Sequence, residues 1–159
     1  MNPPPGAPLR IRRMAPADLD RVIELALSLP QAPQWPRSAY LAALDPEAAP
    51  PRIALVAEDE ETGAVQGFAV ASLLPPQAEL ETIAVTPENQ RRGVASRIFI
   101  AMADELRKAL VTEVLLEVRA SNSPALAFYR AQGFAITGRR PRYYADPIED
   151  AVLLELRLA

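Results

Sequence analysis

The sequence predicts a single α/β domain whose elements run β-α-α-β-β-β-α-β-α-β-β. Its 159 residues suit one domain with a real core. Half of them are hydrophobic and 23% are charged, the balance of a folded globular chain rather than a disordered or fibrous one. Along the chain, apolar residues alternate between strand and helix periods, and prolines and glycines punctuate the changes.

Met1 to Pro8 carries Pro3, Pro4, Pro5 and Pro8 and no hydrophobic period, which predicts a short disordered or polyproline arm outside the fold. Leu9, Ile11 and Arg13 alternate with Arg10, Arg12 and Met14, a short strand. Pro16 opens a helix on which Leu19, Val22, Ile23, Ala26 and Leu27 recur at helical spacing, and Pro30 stops it. A loop to Pro36 holds the only tryptophan, Trp35. A second helix follows from about Ser38 to Leu44, with Tyr40, Leu41 and Leu44 expected inward.

The proline-rich stretch Pro46 to Pro51 ends that helix. Ile53 to Ala57 and Val65 to Leu74 read as strands joined by the polar hairpin connection Asp59-Glu60-Glu61-Thr62-Gly63. Pro75 and Pro76 turn the chain into a further strand, Ala78 to Val85. From Gly93 the period becomes helical: Val94, Ile98, Met102 and Leu106 form one stripe, with Asp104, Glu105, Arg107 and Lys108 mainly toward water. Val114 to Val118 is a short apolar strand, Ser121 to Ala131 a helix ended by Gly133, and the remainder two strands joined near Ala145-Asp146-Pro147. No internal repeat appears.

Composition removes several chemistries. With no cysteine and no histidine, disulfides, zinc or copper sites on those ligands, and Cys-His or Ser-His nucleophiles are excluded, and no metal is expected. Acid-base work falls to Glu, Asp, Tyr, Lys, the backbone or water. A net charge of −3 and a pI near 5.1 argue against a nucleic-acid partner and suit a cationic substrate. No apolar stretch reaches the roughly 18 residues of a membrane span, and prolines stand where a signal peptide needs an apolar run, so a cytoplasmic location is expected.

Gln90-Arg91-Arg92-Gly93-Val94-Ala95 lies where the strand ending at Val85 hands over to the long helix through Thr86-Pro87-Glu88. Free backbone N–H groups and the positive end of the helix dipole then surround Gly93, a natural anion site. Glycine at 93 and a small residue at 95 admit a pyrophosphate, and Arg91 or Arg92 can add charge-assisted hydrogen bonds. A plain helix start with solvated arginines is the simpler alternative. The segment is neither a nucleoside-triphosphate P-loop nor a G-x-G-x-x-G turn.

These residues resemble the coenzyme A signature Q/R-x-x-G-x-G/A of the GNAT superfamily of acetyltransferases, with alanine in the last position. Leu80-Glu81-Thr82-Ile83-Ala84-Val85 is similar to the family's central strand. The resemblance implies a mixed, mostly antiparallel sheet of about seven strands with about four helices. It also implies acetyl-CoA as cosubstrate, held by backbone near Ile83, Ala84 and Val85 and by the turn through Arg91, Arg92, Gly93, Val94, Ala95 and Ser96.

Leu115-Leu116-Glu117-Val118-Arg119-Ala120-Ser121-Asn122, then Ala125-Leu126-Ala127-Phe128-Tyr129 and Gly133-Phe134, is more specific. It resembles the RimI group, bacterial enzymes that acetylate the N-terminal alanine of a small-subunit ribosomal protein. Arg139, Arg140, Tyr143, Tyr144 and Glu149-Asp150-Ala151 continue the likeness into the last strands. Three departures stand out: a short loop after Tyr144, Trp35-Pro36-Arg37 in place of Pro-Trp-Ser, and an arm before Leu9 without counterpart. A small-amine acetyltransferase, a lysine side chain as acceptor and a non-catalytic acyl-CoA-binding module are the alternatives.

An α-amino group with a pKa near ~8 is largely protonated at neutral pH, so N-acetylation requires a base. Glu117, near the end of an apolar strand, would have its pKa raised by partial burial; a strand-end glutamate paired with Arg119 is the alternative, and the resemblance makes Glu117 the base. A tyrosine hydroxyl, pKa near ~10, can protonate a departing thiolate of ~8.5. Tyr129 is the candidate, although a tyrosine in an apolar helix is commonly core. The resemblance sets it facing the cofactor sulfur, with Asn122 contacting the cofactor. Backbone N–H groups of residues 83–85, foremost Val85, would hold the oxyanion. Without cysteine no thiol-linked acyl-enzyme forms, and transfer is direct. Trp35, Tyr143 and Tyr144 are candidates to line the acceptor groove.

Overall fold

The computed structural model describes residues 8–159; the arm predicted for Met1 to Pro8 lies, apart from Pro8, outside the described residues. Seven strands form one sheet: β1 (Leu9–Arg13), β2 (Arg52–Asp59), β3 (Val65–Leu74), β4 (Gln77–Val85), β5 (Glu113–Arg119), β6 (Ala135–Tyr144) and β7 (Glu149–Arg157). The helices are α1 (Leu19–Leu27), α2 (Arg37–Leu44), α3 (Val94–Lys108) and α4 (Ser123–Ala131). The element order is the one the sequence predicts. A 3-10 turn over Pro16–Asp18 precedes α1, so Pro16 opens that turn rather than the helix itself.

The strand order is β1-β2-β3-β4-β5-β7-β6. Every pairing is antiparallel except β4 with β5, which are parallel and paired only from Gln77–Glu113 to Glu79–Leu115. Beyond Glu79 the two strands part. The cause lies two residues further on: Val70 of β3 faces Thr82 and Ala71 faces Leu80, so Glu81 is an extra, unpaired residue. Such a bulge bends its strand and reverses the alternation of faces. Ala78 and Leu80 before it, and Ile83 and Val85 after it, all pack toward α3, while Ala84 faces the opposite core.

Two cores flank the sheet. On one face Ile98, Met102 and Leu106 of α3 pack on Leu55, Ala69, Ala71, Val114 and Leu116, the stripe expected from the helical period. On the other, Leu19, Val22, Leu25 and Ala26 of α1 and Tyr40 and Ala43 of α2 pack on Val56, Phe68 and Val70. Two inward assignments are corrected: Leu27 is 69% and Leu41 48% exposed, and Leu25 and Ala43 take the inward positions. Both short helices carry more apolar residues than their buried face can use. Leu44 is partly buried, and α4 starts at Ser123 rather than Ser121 because Asn122 caps it.

Gly67 of β3 ties the frame to the bulged strand. A Cβ there would lie 2.8 Å from the Ala84 carbonyl oxygen and 2.8 Å from Ile98 Cδ1. The Ala84 contact is backbone and cannot rotate away. Gly67→Ala is expected to cost about 1–3 kcal/mol of stability, as overpacking does; a urea melt with an unchanged midpoint would refute this close packing.

Candidate active site

Because β4 and β5 part after Glu79, a cleft of about 780 Å³ opens between them. Residues 80–85 of β4 form one wall; Glu117, Val118 and Arg119 of β5, with Asn122, Pro124, Ala125 and Tyr129, form the other. Residues 28–34 after α1 and Tyr144 at the end of β6 close the remaining sides. The Thr86 N–H donates to the Gln66 carbonyl of β3 (2.9 Å). Alternation along an antiparallel strand then turns the backbone polar groups of Val85 and Ile83 toward the gap. Gln90 Nε2 donates to the Val85 carbonyl (3.1 Å), joining the next turn to this edge.

That turn carries the predicted anion site. Residues 87–89 form a 3-10 turn steadied by Asn89 Nδ2 donating to Thr86 Oγ1 (2.7 Å). Arg91 and Gly93 are left-handed, with φ of 62° and 79°, and Gly93 becomes the N-cap of α3, a position glycine takes without strain. No side chain caps α3 and no acidic residue occupies its first turn. The first backbone bond of the helix is Arg97 N–H to the Gly93 carbonyl (3.1 Å), which leaves the N–H groups of Val94, Ala95 and Ser96 for an external acceptor. Arg91 and Arg92 are exposed and form no ion pair among the described residues. The Ser96 hydroxyl accepts from Gln132 Nε2 (3.0 Å), tying α3 to the end of α4.

On the opposite wall, Asn122 Oδ1 accepts the Ala125 N–H (3.3 Å) as the N-cap of α4, a strong local reason for the helix to begin there. Its amide nitrogen makes no hydrogen bond among the described residues. One helical turn beyond Ala125, Tyr129 packs edge-on against Phe128 and Phe134, at 5.4 and 5.6 Å between centroids, and Phe134 in turn meets Phe99 of α3 at 5.6 Å. This stack fixes the ring. The hydroxyl reaches the cleft without a hydrogen-bond partner among the described residues. Burial, with a smaller contribution from Tyr144, pushes its pKa well above the ordinary tyrosine value, so the phenol keeps its proton.

Glu117 sits between Leu116 and Val118, which point into the α3 core. Its partner is not the neighbouring Arg119. Arg140 of β6 lies across, with Nε 3.2 Å from Oε1, and the Glu117 carboxylate raises the pKa of Tyr143. Arg119 instead reaches forward to the β6–β7 turn and to Glu149 (3.6 Å). Glu81, the bulge residue, pairs with Arg52 (2.9 Å). Glu79 is pushed above the usual carboxylate range, first by burial and then by Glu81 and Glu117.

The structure brings Ile83, Ala84, Val85, Glu117, Asn122, Tyr129 and Tyr144 onto one cleft. Tyr143 is not among its lining residues and packs edge-on against Tyr144, 5.1 Å between centroids. Trp35 packs on Tyr40, 5.2 Å between centroids, in the α1–α2 core; the wall beside it is made by residues 28–34. Sequence reasoning missed that wall. Its organiser is Gln34, whose amide donates to the carbonyls of Ala26 (2.7 Å), Ala32 (3.0 Å) and Leu29 (3.3 Å), contacts that no periodic pattern signals.

A parted pair of parallel strands, an open helix N-terminus beside them and a protonated phenol on the facing helix lie together at this cleft. The model of the Acetyltransferase (GNAT) family matches residues 19–134, and this chain belongs to that family and is an acyltransferase. It is 37% identical over 101 residues to the [ribosomal protein bS18]-alanine N-acetyltransferase of Escherichia coli K12, covering 62% of this chain and 68% of that protein. It is 36% identical over 149 residues to the N-alpha-acetyltransferase RimI of Mycobacterium tuberculosis, covering 91% and 89%. The crystal structure of the ribosomal-protein-S18-alanine N-acetyltransferase from Escherichia coli superposes with a TM-score of 0.81 at 27% identity, over 95% of this chain and 94% of that one.

Proposed function

We propose that this chain transfers acetyl from acetyl-CoA directly to a protein N-terminal α-amino group, with the N-terminal alanine of a ribosomal protein as the acceptor to test first. The observation that carries the reading is the β4–β5 cleft, which has Tyr129 and Glu117 on one wall and the β4 backbone edge at Ile83 and Val85, unpaired with β5, on the other. The names of the Escherichia coli and Mycobacterium tuberculosis relatives support the acceptor. Among the described residues no helix is long and apolar enough to cross a membrane, which accords with action beside ribosomes in the cytoplasm.

The residues fit the cosubstrate. Three uncapped N–H groups at α3, no competing carboxylate in its first turn and two unpaired arginines suit a pyrophosphate. The gap-facing backbone of Ile83 and Val85 suits an amide-bearing arm, and the unoccupied amide of Asn122 adds a donor. Acetyl-CoA supplies the thioester that makes the acetyl group transferable. Glu117 takes the proton from the incoming ammonium, directly or through water. The Val85 N–H faces the position where negative charge develops on oxygen. Tyr129, held neutral by burial, gives its proton to the sulfur as the C–S bond breaks, and the second proton that the amine nitrogen loses on becoming an amide returns to the tyrosine oxygen through water.

Mass spectrometry of the purified protein with acetyl-CoA and a mixed acceptor panel tests this. The panel holds peptides beginning with alanine, serine or methionine, an N-terminally blocked lysine peptide and small amines. One acetyl group added at the N-terminus of the alanine peptides is the expected result. Acetylation confined to small amines or lysine would overturn the acceptor, and no product above the enzyme-free control would overturn the reaction.

A further inference from the structure

We infer that Arg119 is a positioning residue that fixes the β6–β7 turn and, through it, the Tyr144 ring on the acceptor side of the cleft; this rests on the acetyltransferase reading above. Arg119 ends β5, the strand that carries Glu117. Its Nη2 donates to the Ala145 carbonyl (3.1 Å) and its Nη1 to the Pro147 carbonyl (3.2 Å), so one guanidinium spans the turn on both sides of Asp146. The same group stands 3.6 Å from Glu149 and 4.5 Å from the centre of the Tyr144 ring.

The turn has little else to hold it. Residues 145–148 are all exposed, and Ile148 is 72% exposed, so apolar burial does not set their path. Asp150 accepts the Arg142 N–H at Oδ1 and the Ala120 N–H at its backbone carbonyl, bonds that anchor the strand ends and leave the tip free. A planar fork that reaches two carbonyls at once is a property of arginine that lysine lacks. Tyr144 is the residue of the β6–β7 hairpin that lines the cleft among the described residues, and it lies near enough to Tyr129 to affect its proton affinity. Arg119 thereby links the base-bearing strand to the acceptor wall and sets their spacing. It touches no reacting atom itself.

The test compares the full chain with Arg119→Ala, Arg119→Lys, Tyr144→Ala and the Arg119→Ala/Tyr144→Ala double variant. Kinetics use acetyl-CoA and whichever panel amine the unaltered protein acetylates, and hydrogen–deuterium exchange is followed across residues 142–150. Arg119→Ala is expected to raise the acceptor KM roughly 10- to 100-fold, the scale of a small misplacement, with the acetyl-CoA KM unchanged. Arg119→Lys should not rescue it, and the double variant should be no worse than the poorer single one. Exchange in the turn should quicken while the core stays protected. Parallel loss of both KM values, full rescue by lysine, additive single effects or unchanged exchange would each overturn the assignment. If no panel amine is acetylated, the acetyltransferase reading fails, and the exchange experiment still decides whether Arg119 holds the turn.

Discussion

Tyr129→Phe should lower kcat by roughly 10²- to 10⁴-fold, the usual contribution of a positioned acid, which is about 2.7 to 5.4 kcal/mol at roughly 1.36 kcal/mol per decade. Folding stability should hold or rise. The ring is fixed by Phe128 and Phe134, contacts that phenylalanine keeps. The hydroxyl opens on the cleft and has no hydrogen-bond partner among the described residues, so its removal breaks no hydrogen bond of the fold. A tyrosine serving the core alone would show no such separation of activity from stability. The sign of the titration agrees with an acid: burial disfavours the phenolate, the pKa rises, and the proton is retained across the working range. Tyr129 should therefore cause no alkaline loss of rate below pH ~10. A variant with undiminished kcat at saturating substrates would exclude Tyr129 as the proton donor, and a non-catalytic binding module would lose nothing at all.

Element order was legible because each segment carries its own period, and α3 shows why most clearly: Val94, Ile98, Met102 and Leu106 are all buried. Asn122 and Tyr129 were named from the resemblance carried by one continuous segment, not from periodicity, and both line the cleft. Pairing was not. Nothing local tells that β5 joins β7 past β6, since that choice depends on faces separated by dozens of residues. The bulge did leave a trace: Leu80 and Ile83 face one side three positions apart, where strict alternation demands an even number. The alternative that paired Glu117 with Arg119 rested on proximity in sequence, yet side chains two apart on a strand run parallel. Arg119 extends past the strand end, and Arg140 arrives from across the sheet. Leu27 and Leu41 mislead because a leucine at helical spacing says nothing of where the neighbouring layer ends.

Glu117→Gln should also cut turnover by roughly 10²- to 10⁴-fold, and the size of the loss separates catalysis from pairing. The Arg140 side chain is 57% exposed, and its ion pair with Glu117 is solvent-screened. Pairs of that kind contribute about 0–1 kcal/mol, too little to account for two decades of rate. Arg140→Gln is the control: it removes the pair and leaves the carboxylate, so its turnover should stay close to the parent value. Equal losses in the two variants would make Glu117 a structural partner of Arg140 and no base. The pH profile adds an independent reading. With glutamine at 117 the amine must lose its proton to solvent, so residual turnover should climb as pH rises through the acceptor's own pKa near ~8. Residual activity that stays flat with pH would mean that deprotonation of the acceptor does not limit the variant, and the base would have to be sought elsewhere, first at Glu81 on the facing β4 wall and at Glu79 just before it.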